Sequence, residues 1–344
     1  MPKINFDFAK SILEEIKSED TVTIIHDSDA DGFCSAICFF DFCLDKTDNV
    51  FAMAFKRGVN FDNKKIRKSN LVIVLDLAPS QCISLLRFLS SKCEKILYVD
   101  HHPQDAETFL INNVYEYRPD PKYYFPTSRL AYELTLKRPL MALAGILGDF
   151  AHLYKENDDI IKKLLGVFGM SLEEFMEKVS IPIANSINYF SKEPWRAFGL
   201  LKTIKEPGDL EKIRSYSDEI EKEVEKFVEG FRKEKQEISG IYFYYFKPNH
   251  DVKGGVTAKI SNEYFENIVI LATPLKGNMV SLSIRNQSRK WNVAKIIQDA
   301  LSGIEGASGG GHRSAAGGVL NESDLEILKR RLEKIGRNLD NYLI

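Results

Sequence analysis

The sequence predicts an open, doubly wound α/β sheet, mostly parallel, joined by a helical linker to a smaller α+β domain. Three observations predict it. Short, nearly continuous apolar runs at 21–26 (TVTIIH), 71–75 (LVIVL) and 94–99 (EKILYV) alternate with helical patterns over the first 150 residues. Runs of that kind are strands covered on both faces, hence parallel, and strand–helix alternation builds an α/β sheet. After residue 240 the style changes to closely spaced strands followed by helices.

In chain order, the first strand passes through a turn into a helix starting near Gly32. The second passes through Ala78-Pro79-Ser80 into another helical pattern, and the third follows. From about 126 to 203 apolar residues recur at three- and four-residue spacing, which is helical. Residues 206–239 are rich in Glu and Lys and read as a long exposed helix. Beyond it, strands are expected at 241–246, 267–273 and 279–284, and helices at 292–301 and 322–338. The expected domains are therefore 1–205, a linker 206–239, and 240–344.

Length and composition agree with two domains. The chain has 344 residues, 44% apolar and 28% charged, as an ordinary globular protein has. The net charge of −2 excludes a strongly basic nucleic-acid-coating protein. It leaves open a nuclease whose binding charge is confined to one cleft and whose carboxylates are balanced by metal ions. The five cysteines (Cys34, Cys38, Cys43, Cys82 and Cys93) are odd in number and form no CxxC pair, so free thiols in a reducing cytoplasm are expected. A charged N-terminal segment and the lack of a long apolar run predict neither a signal peptide nor a membrane span.

The chemistry gathers at the strand ends. His26-Asp27-Ser28-Asp29-Ala30-Asp31-Gly32 follows the first strand, Asp76 the second and Asp100-His101-His102-Pro103 the third. Ligands of open α/β sheets bind just beyond the carboxyl ends of the strands, so these clusters should meet on one rim. Carboxylates this dense repel one another unless a cation balances them. Oxygen and imidazole donors without thiolate suit Mn²⁺ or Mg²⁺. An EF-hand is set aside because a strand, not a helix, leads into the loop. Asp76 alone reads as a turn residue or cap, and Asp149, in GILGDFAH, as either a helix cap or a ligand. The clusters around them need bridging carboxylates, and Asp76 is the expected bridge of a two-metal centre for hydrolysis at phosphorus.

Taken together, HxxDxDG, a strand-end Asp, DHH and GD resemble the DHH phosphoesterase superfamily. SGGGHRSAAGG near the far end is similar to the DHHA1 domain of its subgroup containing RecJ-type exonucleases, nanoRNases and cyclic-dinucleotide phosphodiesterases. The resemblance implies two ions, Mn²⁺ or Mg²⁺. His26, Asp29 and Asp76 would hold one; Asp31, Asp76, His101 and Asp149 the other. His102 would face the substrate phosphate and Asp100 would orient the imidazoles. Asp76, Asp100 and His102 are thus the expected catalytic residues.

The substrate contacts are expected elsewhere. Gly309, Gly310 and Gly311 would let backbone N–H groups approach a phosphate, with His312 and Arg313 as charged donors. Arg285, ending a strand, resembles the family's substrate-contacting Arg. Ser128 and Arg129 lie at a helix start, where N–H groups also suit a phosphate. Trp291 within a basic stretch is either a base-stacking residue or a core residue. The expected activity is exonucleolytic cleavage of single-stranded DNA or RNA, in a cleft between the two domains. Hydrolysis of short oligonucleotides, cyclic dinucleotides or phosphoadenosine phosphate is the alternative, and a non-catalytic replication scaffold a third reading. A replication or repair helicase is the partner class that fits, and a homo-oligomer is compatible with the sequence.

Overall fold

The strands of the first half are β1 (Lys3–Ile4), β2 (Val22–Asp27), β3 (Val50–Phe55), β4 (Ser69–Leu75), β5 (Cys93–Val99) and β6 (Val114–Tyr117). In the computed structural model, which describes residues 3–55, 66–102 and 111–344, they form one parallel sheet in the order β1-β6-β5-β4-β2-β3. The expected strands are its centre. β1, β3 and β6 are additions; β1 and β6 are very short, and β3, though apolar throughout, is an edge strand that is only partly buried.

Side-chain alternation explains the near-continuous apolar runs. Ile24, Ile73, Leu75, Leu97 and Val99 face one layer of helices, while Ile25, Val72, Val74, Ile96 and Tyr98 face the helix Pro79–Ser90 on the other side. The helix Ala30–Leu44 is apolar on nearly all sides because it lies against the sheet and also under the helices Thr127–Thr135 and Pro139–Gly148. Cys34, Cys38 and Cys43 are buried on it, and burial pushes all three thiols up. They act as small apolar residues, as the sequence predicts.

From β2 the chain goes to β3 on one side and then to β4 on the other. The strand order reverses there, which opens a crevice at the carboxyl ends of β2 and β4. The register is level across that edge: His26 pairs with Leu75, Leu75 with Val99, and Val99 with Tyr117. Asp27, Asp76, Asp100 and Arg118 are therefore the next residues along four neighbouring strands.

The chain forms two compact units, Met1–Ser217 and Asp218–Ile344. The expected Glu/Lys-rich helix is Glu211–Glu234, with a buried stripe of Ile213, Ile220, Val224, Phe227, Val228 and Phe231. The second unit holds β7 (Gln236–Ile238), β8 (Ile241–Tyr245), β9 (Ile268–Pro274), β10 (Met279–Arg285), β11 (Ser308–Gly311) and β12 (Ala315–Asn321), in the order β11-β12-β10-β9-β8-β7. Only the β8–β9 pairing is parallel, and the helix Lys253–Glu263 makes that crossover. The helices Val293–Leu301 and Leu325–Gly336 cover one face through Ile270, Val280, Leu282 and Ile284. Trp291 packs into this core, so the core reading of that residue is the correct one. No helix among the described residues is long and apolar enough to cross a membrane.

Candidate metal centre

Each strand end delivers its side chain for a local reason. Asp29 caps the helix Ala30–Leu44, accepting the Gly32 N–H at 2.9 Å. Gly32 is needed because a Cβ there would lie 2.5 Å from the Asp27 carbonyl oxygen. At the second residue of that helix, Asp31 is buried, and its two oxygens accept the N–H groups of Ser128 (2.8 Å) and Thr127 (2.7 Å). The N-terminus of the helix Thr127–Thr135 is thus occupied by Asp31 rather than left open for a phosphate.

Asp76 leaves β4 in the left-handed region, with φ 60°, a conformation Asp tolerates better than most residues. Its N–H donates to the Val99 carbonyl at 3.0 Å, and its Oδ1 accepts from Thr127 Oγ1 at 3.1 Å. That oxygen lies 3.3 Å from His101 Nε2, which is itself 3.5 Å from Asp149 Oδ2. Asp149 follows the helix Pro139–Gly148 and accepts from the Tyr124 hydroxyl at 2.7 Å. Among the described residues, two sets of donor atoms lie within 4.8 Å of one another: Asp76, His101 and His102, and Asp31, His101 and Asp149.

The electrostatics are those of a site that needs a cation. Burial, and then the Asp31 charge, push Asp76 well above the ordinary carboxyl range. The same two causes push Asp149 up to about 8. Burial, then Asp27 and Asp31, push Asp29 up to about 6, and the hydrogen bond from the Gly32 N–H opposes that rise. Burial lowers His26 to about 4 and also lowers His101. His26 is fully buried at the end of β2. Its Nδ1 is 2.7 Å from the Asp27 carbonyl oxygen, which sets it as the N–H, and its Nε2 has no hydrogen-bond partner. His26 belongs to neither of the two donor sets; the dense carboxylates with the His101 imidazole are the donors that fit divalent cations.

Asp100 serves a different end. Its Oδ1 is 2.7 Å from His102 Nδ1, while its Oδ2 accepts from Arg118 at 2.7 Å and from the Tyr98 hydroxyl at 3.1 Å. Arg118 also bonds the buried Glu116 at 2.8 Å. Asp100 thus fixes the His102 ring through Nδ1. The sequence reading missed Arg118, Thr127 and Tyr124. Arg118 had one usable signal, a charged residue just past a strand whose Glu116 needs a cation; the four-residue strand itself went unseen. Pro103 lies outside the described residues.

The expected substrate residues divide. The Arg129 guanidinium bonds Glu133 (2.9 Å), the Glu156 carbonyl (2.6 Å) and Asn157 (2.9 Å), and lies over the Phe125 ring. These partners make it a brace for the segment after Asp149. The glycines of β11 sit in a strand rather than a loop. A Cβ at Gly309 would lie 2.8 Å from Leu301, and one at Gly311, with φ 144°, would lie 2.6 Å from the Ala316 Cα. Packing therefore accounts for these two, while Gly310 makes only an ordinary contact. His312 and Arg313 are exposed in the turn from β11 to β12. Arg285 is half-buried and bonds the carbonyls of Ile284 (2.9 Å) and Ala316 (3.2 Å). Lys253, which the sequence reading missed, bonds Ser281 on the same strand, and burial lowers it.

Comparison with known proteins finds two family domains and a shared fold. The model of the DHH family, N-terminal domain, matches residues 21–166, and that of the DHHA1 domain matches 237–338. No curated protein matches the chain in sequence. RecJ from Thermus thermophilus in complex with Mn²⁺ is similar in fold, with a TM-score of 0.72 at 18% identity over 97% of this chain and 55% of that one. The chain thus spans about half the length of that relative. An exonuclease RecJ bound to manganese gives a TM-score of 0.72 at 18% identity, over 98% of this chain and 95% of that one. CDC45 from Entamoeba histolytica gives 0.62 at 9% identity, over 97% of this chain and all (100%) of that one. The chain thus carries a DHH-family N-terminal domain over residues 21–166, followed by a DHHA1 domain over residues 237–338.

Proposed function

We propose that the chain is a two-cation phosphodiesterase that removes terminal nucleotides from single-stranded DNA or RNA. The observation that carries this reading is the convergence of the Asp31, Asp76, His101 and Asp149 donor atoms. His26, Asp29 and Asp76 would hold one ion and Asp31, Asp76, His101 and Asp149 the other. Mn²⁺ is favoured, with Mg²⁺ as substitute; RecJ structures of similar fold hold either. Such ions supply Lewis acidity toward phosphoryl oxygens and make a water nucleophile available near neutral pH.

The chain's own groups do the positioning. Thr127 and Ser128 N–H groups aim the Asp31 carboxylate, and Tyr124 aims Asp149. Asp100 holds the His102 ring so that Nε2 can donate to a non-bridging oxygen of the scissile phosphate. In the second unit, Arg285, Lys253 and the exposed His312 and Arg313 supply cationic groups for the strand's other phosphates.

The test uses the full chain, Mn²⁺ and end-labelled single strands of about two and about twenty nucleotides, DNA and RNA. Stepwise shortening of the long strands that chelator abolishes is the expected result. Cleavage of the dinucleotide alone would move the activity to short oligonucleotides. No cleavage of any strand would contradict the proposal.

A further inference from the structure

Large apolar side chains stand in water beside this centre. Phe150 directly follows Asp149 and is 60% exposed; Leu153 is 69% and Tyr154 42% exposed. Phe150 is held at φ 56°, a left-handed conformation that a Phe rarely adopts. Turn hydrogen bonds hold it there: its N–H donates to the Leu147 carbonyl and its own carbonyl accepts from Leu153, both at 3.1 Å. A strained backbone that carries an aromatic ring into water marks a surface that something covers.

The rings continue inward. Tyr154 stacks on Tyr124, with centroids 4.3 Å apart and planes 17° apart. Tyr124 meets the His101 ring edge-on at 5.2 Å, and its hydroxyl donates to Asp149. A ladder of aromatic rings thus runs from two of the centre's donors out to solvent. Lys155, exposed at the next position, adds a cation alongside.

We propose that Phe150, Leu153 and Tyr154 form a stacking platform for the nucleobase next to the phosphate cleaved at the Asp76–His101–Asp149 centre. The proposal rests on the phosphodiesterase reading of that centre. Continuity with it selects the substrate's own base as the occupant, and the adjoining lysine suits a phosphate chain better than an apolar protein face. A platform that meets ring faces accepts any base, so it would fix the position of cleavage without selecting sequence.

The experiment mixes the full chain and Mn²⁺ with a single strand carrying 2-aminopurine at each end, in stopped flow, and follows quenching before cleavage. Cleavage of a normal strand is then compared with that of a strand abasic at its terminal positions. In Phe150→Ala the quenching is expected to disappear and the normal-to-abasic cleavage ratio to fall about tenfold or more, within the usual cost of one lost base stack. Phe150→Trp should restore both. Quenching by a wild-type chain that cleaves nothing would sink the phosphodiesterase reading while leaving the platform standing. Quenching unchanged in Phe150→Ala, or equal losses on both strands, would overturn the platform. So would a change in self-association alone, which would make the surface a protein interface.

Discussion

The Asp100 carboxylate lies 2.7 Å from His102 Nδ1, while its other oxygen is held by Arg118, also at 2.7 Å. This fixes which nitrogen of His102 faces away from the carboxylate. Asp100→Asn is expected to lower kcat about 10–100-fold, as loss of an orienting partner does, while the chain still takes up its ions. Because Asp100 acts through His102, the Asp100→Asn/His102→Ala pair should be no slower than His102→Ala alone. Additive losses in single-turnover kinetics would contradict the assignment.

Arg118 is buried between Asp100 and Glu116, both themselves buried. Arg118→Met would remove the guanidinium that two buried carboxylates share and should cost about 3–5 kcal/mol of stability. Urea unfolding checks this, and Glu116→Gln added to the variant should recover part of the loss. A change under about 1 kcal/mol would show the pair to be screened and weak.

The raised carboxyl values set the pH behaviour of the metal-free chain. A raised folded-state value gives stability that is present below the ordinary Asp value, roughly 4, and lost as pH rises through the folded value. For Asp29 that passage comes near about 6, and for Asp149 near about 8, with Asp76 also raised. His26, lowered to about 4, works oppositely, costing stability as pH falls from its ordinary value toward 4. Bound Mn²⁺ displaces the protons that the carboxyls hold. The gain in melting temperature on adding Mn²⁺ to chelated protein should therefore grow from about pH 6 to about pH 8.5. An equal gain at both would contradict this account of the carboxyl cluster.

Much of this was legible in the sequence because the relevant rules are local. A buried β-branched run predicts a strand, and an Asp or His just past it falls on the ligand-binding edge; His26, Asp76, Asp100 and His101 all followed that logic. The glycines at 309 and 311 also drew the eye, yet packing against Leu301 and Ala316 explains them. The bracing role of Arg129 was hidden for a long-range reason: its partners at Glu156 and Asn157 lie in a segment whose path no local pattern reveals. Tyr124 and Thr127 were invisible likewise, since their partners Asp149 and Asp76 are far away in sequence.

The central claim is that Asp76, held at φ 60° beside His101, is shared by two cations. The most direct measurement is equilibrium dialysis against Mn²⁺ with elemental analysis, on the wild-type chain and Asp76→Asn. The account predicts about two ions per wild-type chain and weakened uptake at both sites in Asp76→Asn, as loss of a shared ligand requires. A wild-type chain that takes up no more than one ion, or an Asp76→Asn chain that keeps two at unchanged affinity, would contradict it.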